Sequence, residues 1–472
     1  MLSIFDDDGP LSRPLSRRSM LTVGGLGLGG LSLADLLAAD SIGGAVGKPF
    51  TTGRSVIFLL QHGGPTQFET FDPKLDVPSS IRTVGGAAQT SIPGVHFGAT
   101  MSSIARHAHR LAIVRSYATG SGGHSNRPLV SRSSLDANIG SIYARLVGSN
   151  HPLSGMPTNI ALYPNSVEPD DLGPDERFGK IGSPGSLGSA NAPFAPGGGS
   201  ALQKNMQLTL SRQRFDDRRE LLNSLDRLKR DSDRNGEFEG VDTYRQQAFD
   251  MVLRGVANAF DLTKEDPRTI ERYDTRPYIY DERYTDKTNG RAGRKWYQTN
   301  ARTLGRQLLL ARRLCEAGCG FVTIATRFVW DMHGDKNNLG VARGMEAVGQ
   351  PFDHAVSAFI EDCQDRGLHD KILLVSTGEM GRTPKINKNG GRDHWGRLTP
   401  LMLYGGGVTS GQVIGQSARD GAAPVADPVN SDHLFATIMH ALFDVGQLRI
   451  TQGLPSDLVR FSSSGEPIPG LF

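Results

Sequence analysis

Four short runs of this chain bring carboxylates, imidazoles and small residues together in ways that suit a divalent metal. Gln61-His62-Gly63-Gly64-Pro65 places an imidazole before a tight turn whose glycines leave room for close approach. In Trp330-Asp331-Met332-His333, Asp331 and His333 lie two apart, so on extended backbone they project to one side and can share an ion. Ser376-Thr377-Gly378-Glu379 sets a carboxylate among small residues, and Arg392-Asp393-His394-Trp395 puts Asp393 beside His394 on a glycine-flanked loop. The expected ligand set is therefore His62, Asp331, His333, Glu379, Asp393 and His394. Mixed oxygen and nitrogen donors favour Zn²⁺, Mn²⁺ or Fe over Ca²⁺ or Mg²⁺. Arg382 and Arg392 flank the acidic residues, and their guanidinium forks either hold an anionic substrate bidentately or neutralise Glu379 and Asp393 as plain ion pairs. Any one of these runs also describes a loop turn with solvated side chains. Their recurrence is what points to a site.

The elements that must position these runs are legible from hydrophobic patterning. Apolar, β-branched runs at 54–60, 111–114, 321–325, 371–375 and 401–404 read as buried strands. Leu304, Leu308, Ala311 and Leu314 fall at helical spacing before Gly318. A second helix is expected over 351–366, ended by Gly367, and a last one over 432–443 with Ser431 as its cap. Strands alternating with helices predict an α/β fold, a mostly parallel sheet with helices on both faces. In such sheets the loops at the carboxyl ends of the strands converge on one crevice. Three of the four runs follow a predicted strand and the fourth precedes one, so all should meet there. Residues 166–300 read as a helical insertion or lobe: 181–200 are rich in Gly, Ser and Pro, 201–235 are heavily charged with leucines near helical spacing, and 241–262 look helical.

The 472 residues suffice for one large domain, and 52 basic against 49 acidic residues leave a formal charge of only +3. With no basic run or patch interleaved with aromatics, nothing favours a nucleic-acid partner. Arg17-Arg18 followed by a Gly-rich apolar stretch, 21–39, resembles a twin-arginine (Tat) export signal. Asp35 and the glycines make that stretch a poor permanent membrane span. The expected layout is a leader over 1–47 and one α/β domain over 48–472, delivered by the Tat translocase to the periplasm or beyond. Cys315, Cys319 and Cys363 are too few and odd in number for a disulfide framework and read as small core hydrophobes.

Three longer motifs carry a family resemblance. They are Val-Ile-Phe-Leu-Leu-Gln-His-Gly-Gly-Pro-Thr-Gln-Phe-Glu-Thr-Phe-Asp-Pro-Lys at 56–74, Trp330-Asp331-Met332-His333, and Gly378-Glu379-Met380-Gly381-Arg382-Thr383-Pro384 followed by Gly391-Arg392-Asp393-His394-Trp395. Together they resemble the exported family known as domain of unknown function 1501, grouped with the alkaline phosphatase and sulfatase superfamily. The resemblance implies an alkaline-phosphatase-like domain and a metal-dependent hydrolase, with Zn or Mn, acting on phosphate or sulfate esters, including anionic glycans. It implies that His62 stands where the superfamily has a carboxylate after the first strand, and that Asp331 and His333 hold one metal. Glu379 fits the acid of an acid–His pair whose histidine is replaced by Met380, and His394 fits the final ligand. The nucleophile would come from the loop after the second strand, which offers Ser116, Thr119, Ser121, His124 and Ser125, with Thr119 and Ser121 foremost. No Cys-x-Pro-x-Arg run occurs, which excludes a formylglycine mechanism. The altered ligand positions also admit another class of function, a member without turnover that binds a polysaccharide or a protein partner.

Overall fold

The strand Ser55–Leu60 (β1) is fully buried from Val56 onward. Side chains alternate between the faces of a strand, and Ile57 and Leu59 enter one hydrophobic core while Val56, Phe58 and Leu60 enter another. A strand with two apolar faces needs a helical layer on each. The rest of the chain supplies both.

The computed structural model describes residues 49–197, 255–279 and 291–472, with isolated residues between 213 and 252, and Phe50–Phe472 forms one compact unit. The twin-arginine leader and most of the charged helical stretch expected over 201–262 lie outside the described residues. After β1 the central sheet takes in Leu111–Val114 (β2), Asn159–Leu162 (β3), Phe321–Ala325 (β4) and Ile372–Thr377 (β5). Next come a separate hairpin, Gly381–Ile386 (β6) with Arg392–Trp395 (β7), and two more sheet strands, Leu401–Gly405 (β8) and Gln412–Ile414 (β9). The strand order is β9-β2-β8-β5-β1-β4-β3. β8 pairs antiparallel with β2 and β5, whereas every other pairing in the sheet is parallel. The α/β class with a mostly parallel sheet is what the sequence predicts.

Helices cover both faces. Ile139–Val147 (α1), capped by the Asn138 side chain accepting from the Gly140 amide, packs Ile142 and Leu146 into the core of Val56 and Phe58. Arg291–Glu316 (α2) and Gln350–Asp365 (α3) cover the opposite face with Leu304, Leu308, Phe352, Val356 and Phe359. Ser431–Leu442 (α4) returns to the first face through Leu434 and Ile438. Its cap is Asn430, not Ser431: the amide oxygen accepts from the Asp432 and His433 amides at 2.9 and 3.1 Å. Among the described residues no helix is long and apolar enough to cross a membrane.

Three strand features escape the sequence. β3 and β9 are short edge strands, too brief to leave a periodic signal. The segment from Gly381 to Trp395, expected as two loops, pairs into an antiparallel hairpin that sets Arg382 opposite His394. Its Pro, Gly and Asn residues hide that pairing from pattern reading. The hairpin matters because β8, which follows it, runs backward. Leu401 lies opposite Thr377 and Val114, so the start of β8 is level with the carboxyl ends of β2 and β5. His394 is thereby delivered to the same edge as the loops after β1, β2, β4 and β5.

Candidate metal centre

The turn after β1 is the floor of this edge. Gly63 has φ +112° and lies so close to the next loop that a Cβ would sit 2.6 Å from the Asp331 nitrogen. Its amide donates to both Glu379 oxygens, at 2.9 and 3.2 Å. The ends of β1, β4 and β5 are thus joined by one glycine. Gly391 repeats the device, since a Cβ there would overlap the His333 carbonyl.

Three donor atoms converge above this floor. Asp331 Oδ1 lies 3.0 Å from His333 Nε2 and 3.3 Å from His394 Nε2, and the two Nε2 atoms are 2.9 Å apart. Bonds of about 2.0–2.1 Å to a tetrahedral ion hold neighbouring donors roughly 3.3 Å apart, and six-coordination brings them nearer 3 Å. The triangle has metal-chelating dimensions. His124 stands beside them, for His124, Asp331 and His394 each offer one ligand atom within 4.8 Å of the others.

His124 also links the two buried carboxylates. Its Nδ1 lies 3.0 Å from Glu379 Oε1 and its Nε2 3.5 Å from Asp331 Oδ2. Burial works to lower its pKa, but these two carboxylates overcome that and push it up to about 9. Burial would likewise raise Asp331, yet hydrogen bonds from His124, His333 and His394 and the charge of Arg382 hold it well below the ordinary carboxylate range. The bond to Asp331 raises His333. His62, by contrast, is lowered by burial and stays neutral. It stacks on Phe328 with centroids 3.8 Å apart, and its Nε2 is buried with no hydrogen-bond partner. A buried neutral imidazole with an orphaned nitrogen beside Glu379 and His124 is a further donor for a cation. The donor set fits a divalent ion.

The remaining expected residues lie elsewhere. Asp393 is not in the cluster: its side chain is 58% exposed, and its Oδ1 is 3.1 Å from Nδ1 of His333, the nitrogen facing away from Asp331. It is placed to orient the His333 ring, and Asn387 Nδ2 donates to the same Asp393 oxygen at 3.0 Å. Arg382 does not await an anion. It is fully buried, with Nη2 2.7 Å from Asp331 Oδ1 and on the Gly63 carbonyl, and Nε on the Gly64 carbonyl at 2.8 Å. Arg392 points away altogether. It pairs with Glu69 at 2.9 Å, donates to the carbonyls of Pro384 and Ile81, and lies over Phe68. Both buried guanidiniums need carboxylates and carbonyls more than a surface substrate could offer. Thr119 Oγ1 donates to the Glu379 backbone carbonyl at 2.7 Å, and Ser121 Oγ accepts from the Gly123 amide at 3.3 Å. Ser116 is tied to the Asp427 carbonyl and Ser125 to the Arg127 amide. These hydroxyls thus bond to backbone groups and not to the side chains of Asp331, His333 or His394. Trp330 packs edge-on against Phe352, and the three cysteines are buried and unpaired, as core residues.

Sequence reasoning missed an aromatic wall. Phe328 follows β4 by three residues, and Phe178 comes from the Gly173–Gly179 loop; their rings are 4.4 Å apart and lie 5.0 and 4.9 Å from the His124 ring. Arg177 stacks on it, paired to Asp175 at 2.7 Å, and Arg327 reaches the same carboxylate at 2.9 Å. The only sequence signal was an Arg-Phe pair immediately beyond a strand end.

A family model described as "Protein of unknown function (DUF1501)" matches residues 53–472. The chain belongs to that family. No curated protein matches this chain. Among solved structures, a sulfatase from Pseudoalteromonas sp. is similar at 11% identity, covering 91% of this chain and 72% of that one with a TM-score of 0.33. The phosphonate monoester hydrolase of Silicibacter pomeroyi is similar at 15% identity, 88% and 78% coverage and a TM-score of 0.33. At this distance the side-chain geometry of the DUF1501 chain, not its neighbours, has to carry function.

Two outcomes are expected. Arg392→Ala leaves Glu69 buried without its partner, which costs about 3–5 kcal/mol of stability; urea unfolding measures it, and a loss below about 1 kcal/mol would contradict a structural role. His124 has an ordinary pKa of 6.5 and a folded value of about 9. Its stabilising contribution is therefore complete below 6.5 and is lost as pH rises through 9. In EDTA, stability should fall over that window, with a shallower fall in His124→Gln. Equal slopes would show that the imidazole is not held between carboxylates.

Proposed function

We propose that this DUF1501 chain is a metal-dependent hydrolase of phosphate or sulfate esters, sulfated or phosphorylated glycans among them, acting outside the cytoplasm after Tat export. The observation that carries the reading is the triangle of Asp331 Oδ1, His333 Nε2 and His394 Nε2, with sides of 3.0, 3.3 and 2.9 Å. A divalent ion, Zn or Mn, would supply Lewis acidity toward an ester oxygen and lower the pKa of water. The chain's own residues do the rest. Asp331, His333 and His394 hold the ion, with Glu379, His124 and His62 lining the adjoining space. Arg382 fixes the Asp331 carboxylate, and Asp393 fixes the ring of His333 through Nδ1. His124 holds a proton at Nε2 facing Asp331 and is the candidate to pass one to the departing oxygen. With the Thr119 hydroxyl committed to a backbone carbonyl, water is the attacking group.

The same commitments favour a second reading, a chain that binds an anionic glycan or a protein partner without turnover. Thr119, Arg382 and Arg392 all have partners inside the protein, so none of these three is free to attack or clamp an ester.

Elemental analysis of the mature protein, with assays on aryl phosphates and sulfates in added Zn²⁺ or Mn²⁺, tests both. The hydrolase reading expects bound metal, turnover, and loss of both in Asp331→Ala and His394→Ala. Bound metal with no turnover on any ester, and ligand binding that survives both substitutions, favours the binding reading. Protein without stoichiometric metal refutes the hydrolase.

A further inference from the structure

We infer that Phe328, Phe178 and Arg177 form a subsite for a ring attached to the ester, so that the group released from phosphate or sulfate is cyclic with an apolar face and not an open alkyl chain. This rests on the metal-dependent reading above and narrows its substrate class.

The wall begins at the candidate donors themselves. Phe328 lies 3.8 Å from the His62 ring and 5.0 Å from that of His124, centroid to centroid. Phe178 continues it outward, 4.4 Å from Phe328 and 4.9 Å from His124. Phe328 is buried, whereas Phe178 is 38% exposed. An aromatic ring that is partly exposed and packed against the candidate donor His124 offers contact area to another ring. It offers nothing comparable to a flexible alkyl chain, which loses rotamer freedom on lying flat.

Arg177 closes the outer end. Its guanidinium carbon is 4.9 Å from the Trp296 ring, 5.6 Å from Phe328 and 5.8 Å from Phe178. Asp175 fixes it at 2.7 Å while also taking Arg327 at 2.9 Å. One carboxylate between two guanidiniums leaves a unit of positive charge uncompensated, and the Arg327 Nε is buried without a partner. The Arg177 side chain remains 53% exposed. A ring lying on Phe178 would therefore meet hydrogen-bond donors and positive charge at its far edge. That suits hydroxyls or a second anionic substituent.

The geometry leaves aryl and pyranose rings as two sources of one chemistry. Calorimetric titration of zinc-loaded full-length protein with phenylphosphonate, a C-glycosyl pyranose phosphonate and ethylphosphonate separates them, since none of the three needs to be hydrolysed. A ring phosphonate should bind about three- to tenfold more tightly than ethylphosphonate, the scale of one aromatic contact. Which ring phosphonate gains more distinguishes aryl from sugar. Phe178→Ala should abolish the ratio without loss of bound zinc, and Phe178→Tyr should keep it. Equal affinities for ring and alkyl probes in the wild type would overturn the subsite while leaving the metal-dependent reading intact. Protein that takes up no zinc would overturn that reading, and the subsite with it.

Discussion

A buried carboxylate survives as an anion only where its surroundings return what water no longer gives, and at Asp331 that condition organises the whole crevice. Burial penalises its charge, and three imidazoles, the Arg382 guanidinium and the Asn338 amide (at 3.1 Å from Oδ2) compensate. Every loop at this edge of the sheet contributes one of those groups or holds one in place. The loop after β2 brings His124, the loop after β4 brings His333, and the hairpin brings Arg382 and His394. The turn after β1 receives Glu379 on a glycine amide. Removing the anion would leave like-charged groups facing one another with nothing between them.

The supporting layer explains why so many of the polar side chains of the motifs turn inward. Gln67 bonds both the nitrogen and the oxygen of Arg382 through its amide, at 2.9 and 2.8 Å, which fixes the strand that carries the guanidinium. Asp393 and Asn387 act on His333 from its outer nitrogen. Arg392 binds Glu69 and two stretches of backbone, tying the hairpin to the segment after β1. These residues hold the geometry through contacts inside the protein.

This division also marks how far the sequence could be read. The runs at 111–114 and 321–325 became strands with the same bounds, because short β-branched segments between turn residues admit little else. The clustering of Asp331 and His333 was legible from their spacing on extended backbone. What spacing does not encode is the direction in which a long side chain leaves a hairpin. Arg382 and Arg392 lie ten residues apart on paired strands, and only the pairing reveals that one bonds Asp331 and the other Glu69. Phe178 was invisible for another reason: its loop has no periodicity, and its closeness to His124 is made entirely by tertiary packing. The two edge strands were lost to their brevity.

The most direct test of the central claim is X-ray absorption at the zinc edge on protein reconstituted with one equivalent of zinc. The account predicts a first shell of nitrogen and oxygen at about 2.0–2.1 Å with the outer-shell scattering of two or more imidazoles, reduced by one ring in His394→Ala and unchanged in shell composition in Asp393→Asn. A shell of oxygen alone without imidazole scattering, or a spectrum indifferent to His394→Ala, would contradict it.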